Sequence, residues 1–315
     1  MDELWNYGLE KIWTHIAINT IKKYQIQEKY LHLDSTSISV KGDYLKSKDS
    51  EETITVTYGY SKDKRPDDQQ FMVDLIVSND GDIPLLIKIG SGNQSDKKMF
   101  TERIKEYQEN INQESKEITY IADSALYTAE NLQKLKQIKW ISRVPITIKK
   151  AKELLEIKEE KNWIISEKVG YSYQEHKVNY QGIEQRWLIV LSEARKESDL
   201  KKLNKNREKE EQTIQEQIKK WTTRKKKSLE ELEQEIKAFK KKLLFYELKV
   251  IDYKKESNSQ KEEVYSATFE IKINQERISL EKNKAGKFIL ATNVLNKEEL
   301  PSEELLLQYK NQLAL

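Results

Sequence analysis

The sequence predicts a mixed α/β sheet interrupted by a charged, largely helical insertion. Three observations carry that expectation. Short segments between Tyr30 and Ile89 alternate apolar and polar side chains, as strands with one covered face do. Between Ser95 and Val144 helical and strand patterns alternate, which joins later strands to the sheet through crossover units. From about Glu193 to Leu243 nearly every second residue is charged, and neither proline nor glycine occurs.

Taken in order, Leu4, Leu9, Ile12, Trp13, Ile16, Ala17 and Ile21 recur at helical intervals up to the basic pair Lys22 and Lys23. Tyr30 to Val40 alternates as a strand, and Thr53 to Tyr60 (TITVTYGY) alternates again. Phe71 to Val77 and Ile83 to Ile89 read as a hairpin across Asp80-Gly81, a dipeptide suited to the turn. A helix is predicted from Ser95 to Asn110, with Met99, Phe100, Ile104 and Tyr107 on one face. Ile118 to Ala122 is a short buried strand, Ala129 to Lys136 a helix, and Trp140 to Val144 another strand.

Within the charged stretch, Leu200, Leu203, Ile214, Ile218, Trp221, Leu229, Leu232, Ile236, Phe239 and Leu243 are spaced mainly by three, four and seven. That spacing predicts a helical hairpin bent near Trp221-Thr222-Thr223. Trp187 to Leu191 and Tyr265 to Ile273 flank it as strands. Lys287 to Asn293 is a late strand, followed by a helix from about Ser302 through Leu305, Leu306, Tyr309 and Leu313. The division expected is an N-terminal helical segment (1–28), the first part of a core (29–180), an insertion (181–285) and a return to the core (286–315).

Composition narrows the chemistry. The 315 residues include no cysteine, which excludes disulfides, thiolate zinc sites and cysteine nucleophiles. Three histidines, His15, His32 and His176, lie far apart, so a catalytic metal is expected to be a hard cation held by carboxylates. With 35% charged residues and a net charge of +3, long solvated helices, a polyanionic partner, or both are expected. No apolar run reaches the roughly 18 residues of a membrane span. The start, MDELWNYGLEKIW, lacks the basic and apolar regions of a secretory signal, so an intracellular, soluble protein is expected.

Two aspartates stand out. Asp34 lies mid-strand in LHLDSTSIS, and Asp123 closes the strand ITYIAD. A carboxylate within a β-rich run is costly to bury without a partner or a metal. On adjacent strands, two of them can share divalent cations about 3.5–4 Å apart and act on a phosphodiester. Spacing alone favours the plainer role, a solvent-facing aspartate or a strand-end cap, over a metal ligand.

HLDSTSISVKGDY, VTYGYSKDKRPDDQQFMVDLIVSNDGDIPLLIKIGSGNQSD, YIADSALYTAENL, Trp140-Ile141-Ser142-Arg143-Val144-Pro145 and the late Phe288…Ala291-Thr292-Asn293 occur in one order. In that order they resemble bacterial insertion-sequence transposases of the DDE type, in a subgroup with a long insertion between the second Asp and the Glu. The resemblance spans Leu31 to the C-terminus. It implies a ribonuclease H-like core, Asp34 and Asp123 as the first two metal-binding carboxylates, and Mg²⁺, with Mn²⁺ as a substitute. The family's third carboxylate is a Glu on a late helix after a Tyr; here Tyr309 fits, Gln312 stands at the usual Arg, and the sequence ends where the Glu is due. Glu303 and Glu304 read as first-turn acids favoured by the helix dipole.

The chain also begins only about thirty residues before Asp34, so it reads as a copy short at both ends that lacks the catalytic Glu. The activity implied is metal-dependent cleavage and transfer of DNA strands in transposition, at element ends and target. Arg65, Asn93, Arg143, Lys149 and Lys150 are the candidate DNA contacts, each with a plain structural alternative. A homodimer on DNA, a cytoplasmic, nucleoid-associated setting in a bacterium and no membrane partner complete the expectation. Two other readings stay open: a non-catalytic DNA-binding remnant, and an interaction protein built on the charged helices.

Overall fold

A computed structural model describes residues 2–42, 54–61, 65–94, 96–110, 117–158, 162–223, 228–257 and 263–311. Residues 53, 62–64, 95, 224–227 and 312–315, which fall within sequence features named above, lie outside that set. The chain divides into two compact units, one of residues 1–151, 164–190 and 288–315, the other of 152–163 and 191–287.

The single N-terminal helix expected is two helices. α1 (Asp2–Tyr7) and α2 (Leu9–Tyr24) are parted at Gly8, whose φ of 96° no helix accommodates. β1 (Tyr30–Val40) pairs antiparallel with β2 (Gln69–Ser78), and β2 with β3 (Pro84–Ser91). Crossover through α3 (Asp96–Asn110) brings β4 (Thr119–Ala122) parallel to β1. The next crossover, α4 (Ala129–Lys134), starts at Thr128, whose side chain accepts from the Asn131 N–H, and leads to β5 (Lys139–Arg143), parallel to β4.

After α5 (Lys149–Glu156) come β6 (Ile164–Ile165), β7 (Tyr171–Tyr180) and β8 (Ile183–Ser192). Then follow α6 (Glu193–Thr223), α7 (Leu229–Lys240), β9 (Tyr246–Ser257), β10 (Glu263–Ile273) and α8 (Gln275–Lys284). β11 (Lys287–Thr292) and α9 (Ser302–Lys310) close the chain.

The main sheet has nine strands in the order β3-β2-β1-β4-β5-β11-β8-β7-β6. An antiparallel three-strand meander followed by two parallel strands is the mixed arrangement the sequence predicts, in the ribonuclease H-like form the family resemblance implies. Its core gathers Tyr30, Ile121, Ile141, Leu188, Leu290, Leu305 and Leu306, so α9 seals the sheet beside β4 and β5. α3 is pinned by a buried ion pair in which Arg103 Nε donates to Asp74 at 3.0 Å. In the second unit, α6 and α7 form the predicted helical pair, with α6 ending at Thr223. Leu203, Ile214, Trp221, Leu232 and Ile236 pack with Tyr246, Leu248 and Ala267 of the β9–β10 ribbon. The stretch leaves β8 and returns to β11 at one point, where Ser192 N–H donates to the Gly286 carbonyl at 3.0 Å. Gly286 has φ 77°, and a Cβ there would lie 2.5 Å from that of Lys196.

The described part of the strand expected over 53–60, residues 54–60, is not a strand. Within 54–60 only Thr57 bridges to the sheet, exchanging both backbone hydrogen bonds with Gln70. The segment is a strap laid along the end of β2, with Gly92 N–H donating to the Thr55 carbonyl at 3.0 Å. The Gln70 side chain, 1% exposed, donates to the Gly92 carbonyl at 2.7 Å and the Tyr60 carbonyl at 3.3 Å. A Cβ on Gly92 would fall 2.0 Å from the Gln70 carbonyl oxygen, which is backbone and cannot yield cheaply. Gly92→Ala is therefore expected to destabilise the chain by about 1–3 kcal/mol, read as a lower urea midpoint; an unchanged midpoint would show that the strap is not held this closely.

Arg186 on β8 is 1% exposed and spends its guanidinium on the β11–α9 connection. It donates to the carbonyls of Val294, Asn296 and Leu300, to Ser302 Oγ and to Glu175 Oε2. Ser302 Oγ donates in turn to Glu175, and Lys297 pairs with the same carboxylate at 2.7 Å. α9 is thus fixed at its first residue.

Candidate active site

β1 and β4 are parallel neighbours with Leu33 opposite Ala122, and β4 and β5 are parallel neighbours with Ala122 opposite Ser142. One residue further stand Asp34 and Arg143, still within β1 and β5, and Asp123, the first residue past the end of β4. Side chains at matched register on parallel strands leave the same face. Two carboxylates and a guanidinium therefore form one row across the middle of the sheet. Asp34 and Arg143 are half-buried and Asp123 is exposed.

Local sequence fixes each member. Asp123 ends β4 in an Asp-Ser-Ala turn, its Oδ1 accepting the Ala125 N–H at 2.8 Å. Its own carbonyl accepts from Ser142 Oγ at 2.7 Å, so the fully buried Ser142 ties the ends of β4 and β5 together. The Arg143 guanidinium lies 5.6 Å from the Phe288 ring centroid, a cation–π contact that orients it. The Tyr309 ring lies against the same Phe288, tilted by 38° with the centroids 6.5 Å apart.

Glu303 and Glu304 belong elsewhere. Burial first, then the neighbouring Glu304 carboxylate, pushes the Tyr30 phenol above its ordinary value, which places Glu304 at the start of β1. Tyr30 is four residues, about 13 Å of strand, before Asp34. Glu303 accepts from Ser166 Oγ at 2.7 Å. α9 accordingly runs from the far end of the sheet towards the carboxylate row, reaching it at Tyr309. Its first-turn acids are structural.

The remaining predicted DNA contacts are not gathered at the row. Arg65 lies in the turn before β2, 63% exposed and 4.0 Å from Asp68. Asn93 is exposed in the turn after β3. Both turns border the β1 end at Val40, six residues or about 20 Å beyond Asp34. Lys149 and Lys150 are exposed in the first turn of α5, where the helix dipole disfavours cations, so helix stability does not account for them. Sequence reasoning missed Phe288 as the support of Arg143, and it missed Arg186 and Gln70. The only signals were a lone arginine inside the apolar run QRWLIVL and a glutamine leading one.

Among the described residues no group of three or more His, Asp or Glu side chains could hold a metal. The pair Asp34 and Asp123 offers hard oxygen donors alone, a set that fits a divalent cation such as magnesium or manganese rather than zinc or copper. No helix among the described residues is long and apolar enough to cross a membrane.

The family model described as a transposase DDE domain matches residues 27–310. A comparison with curated proteins finds no match. Similar solved structures include a Mos1 transposase paired-end complex with left transposon end, at 10% identity and a TM-score of 0.23, covering 42% of this chain and 39% of that one. A piggyBac transposase synaptic complex with hairpin DNA matches at 10% identity and a TM-score of 0.33, covering 56% and 35%. The Mos1 strand transfer complex matches at 10% identity and 0.24, covering 43% and 40%. The chain thus matches about two fifths or less of the length of each of these structures.

Proposed function

From the premise that the chain belongs to the transposase DDE domain family, we propose that it carries the catalytic core of a DNA transposase, cutting and transferring strands at the row formed by Asp34, Asp123 and Arg143. The observation that supports this reading is the register: two carboxylates and an arginine each follow by one residue the matched positions Leu33, Ala122 and Ser142 on three neighbouring parallel strands.

Asp34 and Asp123 would hold the divalent cation, Mg²⁺ with Mn²⁺ able to replace it. When bound, such a cation activates an oxygen nucleophile and neutralises charge on the phosphodiester. The chain's own residues do the rest. The Ala125 N–H keeps the Asp123 carboxylate from rotating, and the β1 pairing holds Asp34 beside it. Arg143, steadied on Phe288, presents a forked donor to a phosphate oxygen next to the carboxylates. Lys149, Lys150, Arg65 and Asn93 bind phosphates further along the duplex. DNA at element ends and target is the partner, engaged by a homodimer at the bacterial nucleoid.

Supercoiled plasmid incubated with Mg²⁺, with Mn²⁺ and with EDTA tests the activity: nicking in the first two and none in the third is expected. Binding to a 30-bp duplex over a salt series tests Arg143. Arg143→Ala is expected to flatten the slope of log K against log salt by about 0.9, one phosphate contact. An unchanged slope would remove Arg143 from the DNA surface. Duplex binding without nicking in any metal favours the non-catalytic DNA-binding reading instead.

A further inference from the structure

The strap along the end of β2 carries two features the proposed chemistry does not use. Tyr58 is 58% exposed and Tyr60 is 88% exposed. Single exposed aromatics are ordinary, but this pair sits on backbone held from both sides. Thr57 exchanges two hydrogen bonds with Gln70, and the buried Gln70 side chain holds the Tyr60 carbonyl itself. Gly59 lies between them, where a Cβ would come 2.0 Å from the Gly92 carbonyl oxygen. Among the described residues neither tyrosine ring stacks on another ring, and neither hydroxyl hydrogen-bonds. The fold therefore fixes the main chain under two rings that contribute little to its own packing.

The spacing of the rings has a meaning. Exposure alternates along Thr57, Tyr58, Gly59 and Tyr60, as it does in extended chain. Residues i and i+2 of extended chain project to one side about 6.6 Å apart. Bases stack at about 3.4 Å, so that gap admits one flat base with a ring on either side. The strap also lies at the end of the sheet towards which β1 runs from Asp34. Gln70 faces Ser39, five residues or about 17 Å along the strand from Asp34. That is about five nucleotide steps.

We propose that Tyr58 and Tyr60 clamp a single unpaired nucleobase of DNA bound at the carboxylate row, about five nucleotides from the reacting phosphate. The inference rests on the DNA-binding part of the function proposed above. A base between two rings is held through its faces, which every base has, so the clamp selects unpaired over paired DNA and not one base over another.

The test uses the full chain, without divalent metal, and two probes: a 30-bp duplex and the same duplex with one bulged 2-aminopurine. Wild type is expected to bind the bulged duplex more tightly and to quench its fluorescence. Tyr58→Ala and Tyr60→Ala should each reduce that preference roughly tenfold and leave binding to the perfect duplex unchanged, while both Phe substitutions retain it. Equal preference in wild type and both Ala variants overturns the clamp, as does an equal loss in the Phe variants, which would point to the hydroxyls. Absence of any duplex binding overturns it too. Asp34→Asn should keep the preference, so a wrong carboxylate assignment and a wrong clamp show in different measurements.

Discussion

Asp34→Asn and Asp123→Asn are each expected to lower metal-dependent DNA cleavage by about a thousandfold or more, the several kcal/mol a metal centre contributes to a displacement at phosphorus. The substitutions are isosteric and fall at half-buried and exposed positions, so neither opens a cavity. Asn at 123 can still accept the Ala125 N–H that shapes the turn. Urea midpoints should therefore stay close to wild type, and duplex binding should persist because the phosphate contacts are untouched. Luminescence of bound Tb³⁺, excited through the tyrosines and tryptophans, gives a second readout independent of turnover. Both variants should weaken it. Cleavage that survives either substitution with unaltered Tb³⁺ affinity would falsify the row as the metal site.

Arg186→Met should be the most damaging single change to stability, by about 3–5 kcal/mol. Methionine fills most of the volume, but the buried carbonyls of Val294 and Leu300 lose this donor, and the Glu175 carboxylate, still held by Ser302 and Lys297, loses its guanidinium partner. Arg186→Lys is not expected to rescue it, because one ammonium cannot reach five acceptors spread over residues 175–302. Arg186→Met/Glu175→Gln should be less unstable than the sum of the single changes, the coupling of a direct pair.

A pH series adds a signed test. Burial raises the Glu175 carboxyl, but hydrogen bonds from Lys297 and Ser302 and the Arg186 charge outweigh it and hold it below its ordinary value. A carboxyl depressed in the folded state stabilises above its unfolded pKa of about 4.5, and that contribution is lost as pH falls through the folded value. Wild type should therefore lose stability on acidification below about pH 4.5, and Arg186→Met should lose less. Parallel curves for the two proteins would show that Arg186 does not act on Glu175.

The strands that carry Asp34, Asp123 and Arg143 were legible because each is an apolar run with a polar interruption, and their family resemblance ordered them. Their alignment was not legible. Register between β1, β4 and β5 comes from crossovers through α3 and α4, and no local pattern encodes it. TITVTYGY alternates as a strand does, yet Gly59 and Gly92 bring the strap so close to β2 that only Thr57 pairs. β9 was missed although Tyr246, Leu248 and Val250 alternate with Glu247 and Lys249; the pattern is short, because residues 251–257 are all exposed. α8 buries only Ile278, too little for a helical stripe to show. Arg186 reads in sequence as a surface charge, and its role appears only when residues more than a hundred positions away fold over it.

The junction at Ser192 and Gly286 has an evolutionary consequence. A stretch that departs and returns across a single backbone hydrogen bond leaves its two host strands neighbours in the sheet whatever lies between. Everything from α6 to α8 can be lengthened, exchanged for an unrelated module or cut back to a short turn with little change in loop-closure entropy. Its other ties are to the segment 152–163, through Asn283 and Lys284 to Glu156, and to Gly286 through Asp199, so changes to residues 193–285 act on these partners before they act on the row. An exchange of the module must therefore keep glycine at 286, where the backbone is left-handed and Lys196 and the Ser192 carbonyl crowd the position, and must replace the acceptor that Asp199 offers to its N–H.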